Sequence, residues 1–106
     1  MTINELYEII NDRKLNKPDG SYTASLFKKG KDRIIQKVGE EAVEVVIAAK
    51  NEDNKRIVSE LADLLFHVLV LMNALDIKPK QIMLELDSRR KWLCMIIKKG
   101  ILWLKK

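Results

Sequence analysis

Two rows of acidic residues stand out as groups that could do chemistry. Glu40, Glu41 and Glu44 lie in one segment, with Lys37 just ahead of them, and Glu60 and Asp63 lie in a later one, followed by His67. Steps of three and four residues place side chains in line along a helix, so each row is one stripe of a helical surface. Three acids so closely spaced repel one another, by roughly 0.2–0.5 kcal/mol per pair even in water. Glu60 and Asp63 are the more telling pair, because Leu61, Ala62, Leu64, Leu65, Phe66, Val68, Leu69, Val70, Leu71 and Met72 surround them. Charges set in an apolar helix cost several kcal/mol each unless they are paired or hold a metal. If the two helices run antiparallel, the pairs Glu41/Glu44 and Glu60/Asp63 converge. Four carboxylates without cysteine, and with at most one histidine nearby, suit Mg²⁺, with Mn²⁺ as a substitute, better than zinc. A site of that kind serves phosphate chemistry, where the ion bridges phosphate oxygens and neutralises developing charge. The competing reading is a set of solvated acids on a helical surface.

The elements that must hold these rows are helices. Thr2-Ile3-Asn4-Glu5 has the capping-box pattern, and Ile3, Leu6, Tyr7, Ile9 and Ile10 recur at helical spacing, which predicts a helix over about 3–13. Asn16, Pro18, Asp19 and Gly20 form a turn, and Ser21 to Thr23 read as a loop of cap-type residues before a short helix near 24–29. After Gly30, an apolar stripe of Ile34, Ile35, Val38, Ala42, Val45, Val46 and Ala49 predicts a helix from Lys31 to about Lys50. Asp53 is a cap for the next helix, about 54–75, and Pro79 suits the first position of a last one, about 79–91. Short connections between helices imply an all-α antiparallel helical bundle. The helix after Asp53 is apolar almost all round and so calls for burial on every side. One chain has too few long helices to provide that, which predicts completion of the bundle by a homodimer.

Composition narrows the classes. The 106 residues are 47% hydrophobic and 33% charged, the make-up of one globular domain. The net charge of +5 is misleading, because residues 89–106 hold seven basic residues and no acid, leaving 13 basic against 15 acidic residues before them. A nucleic-acid partner is therefore not expected. The single cysteine, Cys94, makes neither an internal disulfide nor a thiolate metal cage. The start shows no secretory pattern, and no apolar run approaches the roughly 18 residues of a membrane span, so a soluble, cytoplasmic chain is expected. Residues 1–91 form the domain, and 92–106, apolar and basic, are a tail of unassigned role.

The run VGEEAVEVVIAAKN, followed by ELADLLFHVLVLM, resembles the EExxE…ExxD motif of the MazG-like all-α nucleotide pyrophosphohydrolases. The preceding SYTASLFKKGKDRIIQKVGEE narrows the resemblance to the phosphoribosyl-ATP pyrophosphohydrolase family of histidine biosynthesis, over about residues 3–91. The resemblance implies Mg²⁺-dependent hydrolysis of phosphoribosyl-ATP to phosphoribosyl-AMP and pyrophosphate by a homodimer. It implies metal ligands at Glu41, Glu44, Glu60 and Asp63, with Glu40 a candidate for positioning or deprotonating the attacking water. Such a substrate needs cations and hydroxyls, for which Lys37, Arg33, Lys31, Tyr22 and Thr23 are the candidates. Lys37 could equally pair with Glu41 at i+4, and His67 could touch the site or be a hydrogen-bonded core residue. A broader nucleoside triphosphate pyrophosphohydrolase and a non-enzymatic helical interaction protein are the alternatives. The tail does not look like the family's usual polar C-terminus.

Overall fold

The computed structural model describes residues 1–90, and in it five helices follow one another: α1 (Ile3–Asn16), α2 (Tyr22–Lys29), α3 (Lys31–Lys50), α4 (Asn54–Ala74) and α5 (Pro79–Ser88). No strand occurs among the described residues, in keeping with the all-α reading. The tail 92–106 lies outside the described residues, and α5 closes at Ser88, with Arg89 as its C-cap, short of the expected residue 91.

Local chemistry sets the boundaries. The Thr2 hydroxyl accepts from the Glu5 amide at 3.1 Å while the Glu5 carboxylate accepts from the Thr2 amide at 3.3 Å, a complete capping box. α1 runs one turn beyond the expected residue 13, because Lys17 adopts the left-handed conformation (φ 43°) and its N–H closes onto the Arg13 carbonyl. Ser21, not Thr23, caps α2, its hydroxyl accepting from the Ala24 amide at 3.1 Å. Tyr22 and Thr23 therefore sit in the first helical turn rather than on a loop, which corrects the sequence reading. Gly30 joins α2 to α3 at φ 98° and ψ 177°, a conformation that is essentially glycine's alone. Asp53 caps α4 through the Arg56 amide at 3.3 Å, and Pro79 begins α5.

The three-residue connection between Lys50 and Asn54 folds α3 and α4 into an antiparallel hairpin, which is the most extensive packing among the described residues. α1 and α2 close over one end of it. Tyr7, Ile10, Leu26, Ile34, Leu69, Val70 and Met72 form the buried cluster, with Phe27 and Phe66 against it. The Tyr7 hydroxyl donates to the Ile77 carbonyl at 2.8 Å, and Lys14 donates to the Asn73 carbonyl at 3.0 Å, tying α1 to the end of α4.

The core thus gathers at the C-terminal half of α4, and its N-terminal half packs on α3. Two expectations change as a result. The α3 stripe is only partly buried: Ile34 is inside and Val38, Ala42 and Val45 are half-buried, but Ile35, Val46 and Ala49 face solvent while Ala48 is buried. Within one chain α4 is not covered all round either, since Val58 is 67% exposed and Leu61 and Leu65 are exposed beside it. An 18-residue stretch of α4 has a mean hydropathy of 1.7, enough by length and composition to cross a membrane, contrary to the expectation that no apolar run is that long. The last turns of α4 pack into the buried cluster and bury His67 and Asn73.

Candidate metal centre

The hairpin brings one carboxylate of α3 to two of α4. Oxygens of Glu41, Glu60 and Asp63 all lie within 4.8 Å of one another. The Glu41 and Glu60 side chains are only 13% and 16% exposed, while Asp63 opens to solvent. Glu60 and Asp63 stand one turn apart on α4, and the hairpin sets Glu41 opposite them. Glu44, one turn further along α3, is not in this group. Its carboxylate turns to Arg56, whose Nη2 lies 3.5 Å away and whose Nε lies 3.8 Å from Glu60. Arg56 escaped the sequence reading, although its i,i+4 spacing to Glu60 was a usable signal.

Cations line the α3 side. Lys37 Nζ lies 3.2 Å from Glu41 and 3.3 Å from Glu40, and Arg33 Nη1 lies 3.3 Å from Glu40. Burial alone would lower the Lys37 ammonium, but its hydrogen bonds to Glu41 and Glu40 outweigh that and hold it above the ordinary lysine value. The same hydrogen bond from Lys37, reinforced by Arg33, holds Glu40 below the ordinary carboxylate range. Lys37 thus takes the i+4 pairing with Glu41 that its spacing allowed. Lys31 is exposed at the start of α3, Thr23 is half-buried, and Tyr22 is exposed on the first turn of α2. His67 is a hydrogen-bonded core residue, as one of its two readings held: the Tyr22 hydroxyl lies 2.9 Å from Nε2, and the Asp63 carbonyl lies 2.6 Å from Nδ1.

The donor set fits a hard divalent cation. Three carboxylates so close together, two of them largely buried, repel one another, and oxygen is the only donor they offer. Glu44 stands one helical turn from Glu41 on the same face and could supply a fourth oxygen by exchanging its contact with Arg56.

The model of the phosphoribosyl-ATP pyrophosphohydrolase family matches residues 3–90. The chain belongs to this family. It is 51% identical over 89 residues to the phosphoribosyl-ATP pyrophosphatase of Pelotomaculum thermopropionicum, covering 84% of this chain and 91% of that one. It is 50% identical to the phosphoribosyl-ATP pyrophosphatase of Methanocella arvoryzae, covering 84% and 96%. A stretch of 89 residues is also 51% identical to the histidine biosynthesis bifunctional protein of Caldanaerobacter subterraneus, covering 84% of this chain and 43% of that longer one. Family membership makes the chain an enzyme and sets the grouped acids in the context of pyrophosphohydrolase chemistry.

Proposed function

We propose that the protein hydrolyses the α–β phosphoanhydride of phosphoribosyl-ATP, releasing phosphoribosyl-AMP and pyrophosphate, as the second step of histidine biosynthesis. The observation that carries this reading is the meeting of Glu41, Glu60 and Asp63 at the hairpin of a chain matched by the family along residues 3–90. Glu41, Glu44, Glu60 and Asp63 are the residues that would hold Mg²⁺, or Mn²⁺ in its place. The bound ion would neutralise charge on the phosphate oxygens and make water a better nucleophile.

The chain's own groups supply the rest. Water adds to one phosphorus of the anhydride, the bridging P–O bond to that phosphorus breaks, the displaced oxygen leaves on the other product, and the proton shed by the water passes to solvent. Glu40, held ionised by Lys37 and Arg33, accepts a hydrogen bond from the attacking water and so aims it. Lys37, Arg33 and Lys31 form the cationic side of the site for the phosphates. Thr23 and Tyr22 bring α2 hydroxyls beside it.

A second copy of the chain completes the bundle. Val58, Leu61 and Leu65 are exposed on α4, and a groove of about 620 Å³ between the start of α1, α4 and α5 is lined by Leu65, Val68, Leu69, Met72, Ile82 and Met83. An apolar surface of this kind is suited to a homodimer. The working compartment is the cytoplasm, without a membrane or nucleic-acid partner.

The test is pyrophosphate release with Mg²⁺, measured side by side on phosphoribosyl-ATP, ATP and dUTP. Marked preference for phosphoribosyl-ATP is the expected result. Equal or faster turnover of a plain triphosphate would overturn the assignment.

A further inference from the structure

His67 is 5% exposed, and both of its ring nitrogens have partners. A main-chain carbonyl can only accept, so the 2.6 Å contact with the Asp63 oxygen requires the proton on Nδ1. In the neutral ring Nε2 is then an acceptor, and the Tyr22 hydroxyl at 2.9 Å donates to it. The rings reinforce this order. His67 lies edge-on to Phe66 at 5.0 Å and to Tyr22 at 5.8 Å, and Tyr22 lies 6.3 Å from Phe66. Among the described residues this is the hydrogen bond that joins α2 to α4; it reaches α4 at His67, whose other ring nitrogen donates to the main-chain carbonyl of Asp63, a member of the acidic group.

We infer that Tyr22 and His67 are a positioning pair for the proposed reaction. The Asp63 carbonyl fixes the imidazole tautomer, the imidazole fixes the tyrosine hydroxyl, and the hydroxyl pins the first turn of α2 beside the acids. The inference rests on the proposed reading that this turn meets the nucleotide. It also revises what Tyr22 can offer: with its proton committed to His67, the oxygen presents only lone pairs to the site. Phosphate oxygens are acceptors too, so their recognition falls to the lysine and arginine side chains rather than to this hydroxyl.

The test combines steady-state kinetics on phosphoribosyl-ATP with thermal melting for Tyr22→Phe, His67→Asn, His67→Gln and the Tyr22→Phe/His67→Asn double variant. Asparagine keeps a donor near the Nδ1 position but has nothing at Nε2, whereas glutamine can place an amide oxygen near Nε2. Tyr22→Phe and His67→Asn should each raise KM about two- to tenfold, the net worth of one hydrogen bond, with smaller changes in kcat. The double variant should be no worse than either single one, since both break the same bond. His67→Gln should return KM to within about twofold of the parent, inside the lower limit of that hydrogen-bond range. Lowered melting temperatures with an unmoved KM would reduce the pair to a packing contact and overturn the inference. Additive losses in KM, or a glutamine variant as poor as the asparagine one, would do the same. A parent protein that does not turn over phosphoribosyl-ATP at all would instead sink the proposed reaction, and the positioning role with it.

Discussion

Asp63→Asn should separate the cost of the acidic group from its use. The substitution removes one charge while keeping the side chain's shape and the main-chain carbonyl to which His67 donates. Asp63 has two acidic neighbours, Glu41 and Glu60, within 4.8 Å, and no cation makes an ion pair with it among the described residues. Two unit charges at that distance repel by about 0.9 kcal/mol in water and by about 3.5 kcal/mol at an effective dielectric of 20. Asp63 is solvent-exposed and physiological salt screens part of the field, so the watery value is the better guide for each pair. Removing both repulsions should stabilise the protein in EDTA by about 1–2 kcal/mol. For a domain near this size that corresponds to a melting temperature higher by roughly 5–10 °C. In Mg²⁺ the order should reverse. At a concentration 100 times the dissociation constant, bound metal stabilises the parent by about 2.7 kcal/mol, and the variant forfeits most of this along with its turnover. Differential scanning calorimetry in EDTA and across a magnesium titration reads both effects. A variant that melts lower than the parent in EDTA, and still rises with Mg²⁺ as the parent does, would refute the reasoning.

Other consequences can be measured directly. Ile34→Ala, at a core position 2% exposed, should cost about 2–5 kcal/mol in urea denaturation without selectively altering the metal response. Leu65→Lys, on the uncovered side of α4, should shift sedimentation from the proposed dimer to monomer. Glu40 has its folded pKa lowered, so its contribution to stability is present above the unfolded carboxylate value and is lost as pH falls through the folded one. Melting temperatures from pH 7 to pH 3 should therefore fall more steeply for the parent than for Lys37→Gln, which removes the main partner of Glu40. At the alkaline end the raised Lys37 works in the opposite sense: its stabilisation is complete below the unfolded lysine value and disappears as pH climbs past the folded one.

Much of this architecture is written in short-range pattern. The Thr2–Glu5 box, the Asp53 cap and Pro79 at the head of α5 are each decided by one or two side chains near the main chain, so local sequence suffices to find them. The hairpin follows from two helical periods and a connection too short for any other arrangement. What could not be read depends on neighbours distant along the chain. Which apolar residues of α3 are covered is set by where α4, α1 and α2 press on it, and this is why Ala48 is buried while Val46 is exposed. The turn of Glu44 toward Arg56 is likewise a choice between partners that spacing alone leaves open. Ser21 and Thr23 are both cap-type residues, so residue type alone leaves Tyr22 on a loop. The amide of Ala24 selects Ser21, which carries Tyr22 into the helix and within reach of His67.

The acids that define the centre span only residues 41 to 63, all on one α3–α4 unit closed by three residues. Little chain entropy is lost in joining its two arms, and nothing from the first 30 residues or from α5 enters the carboxylate group itself. The acidic group is therefore closed by a local fold, while the Tyr22 hydroxyl beside it comes from outside the hairpin and is held there by its contact with His67.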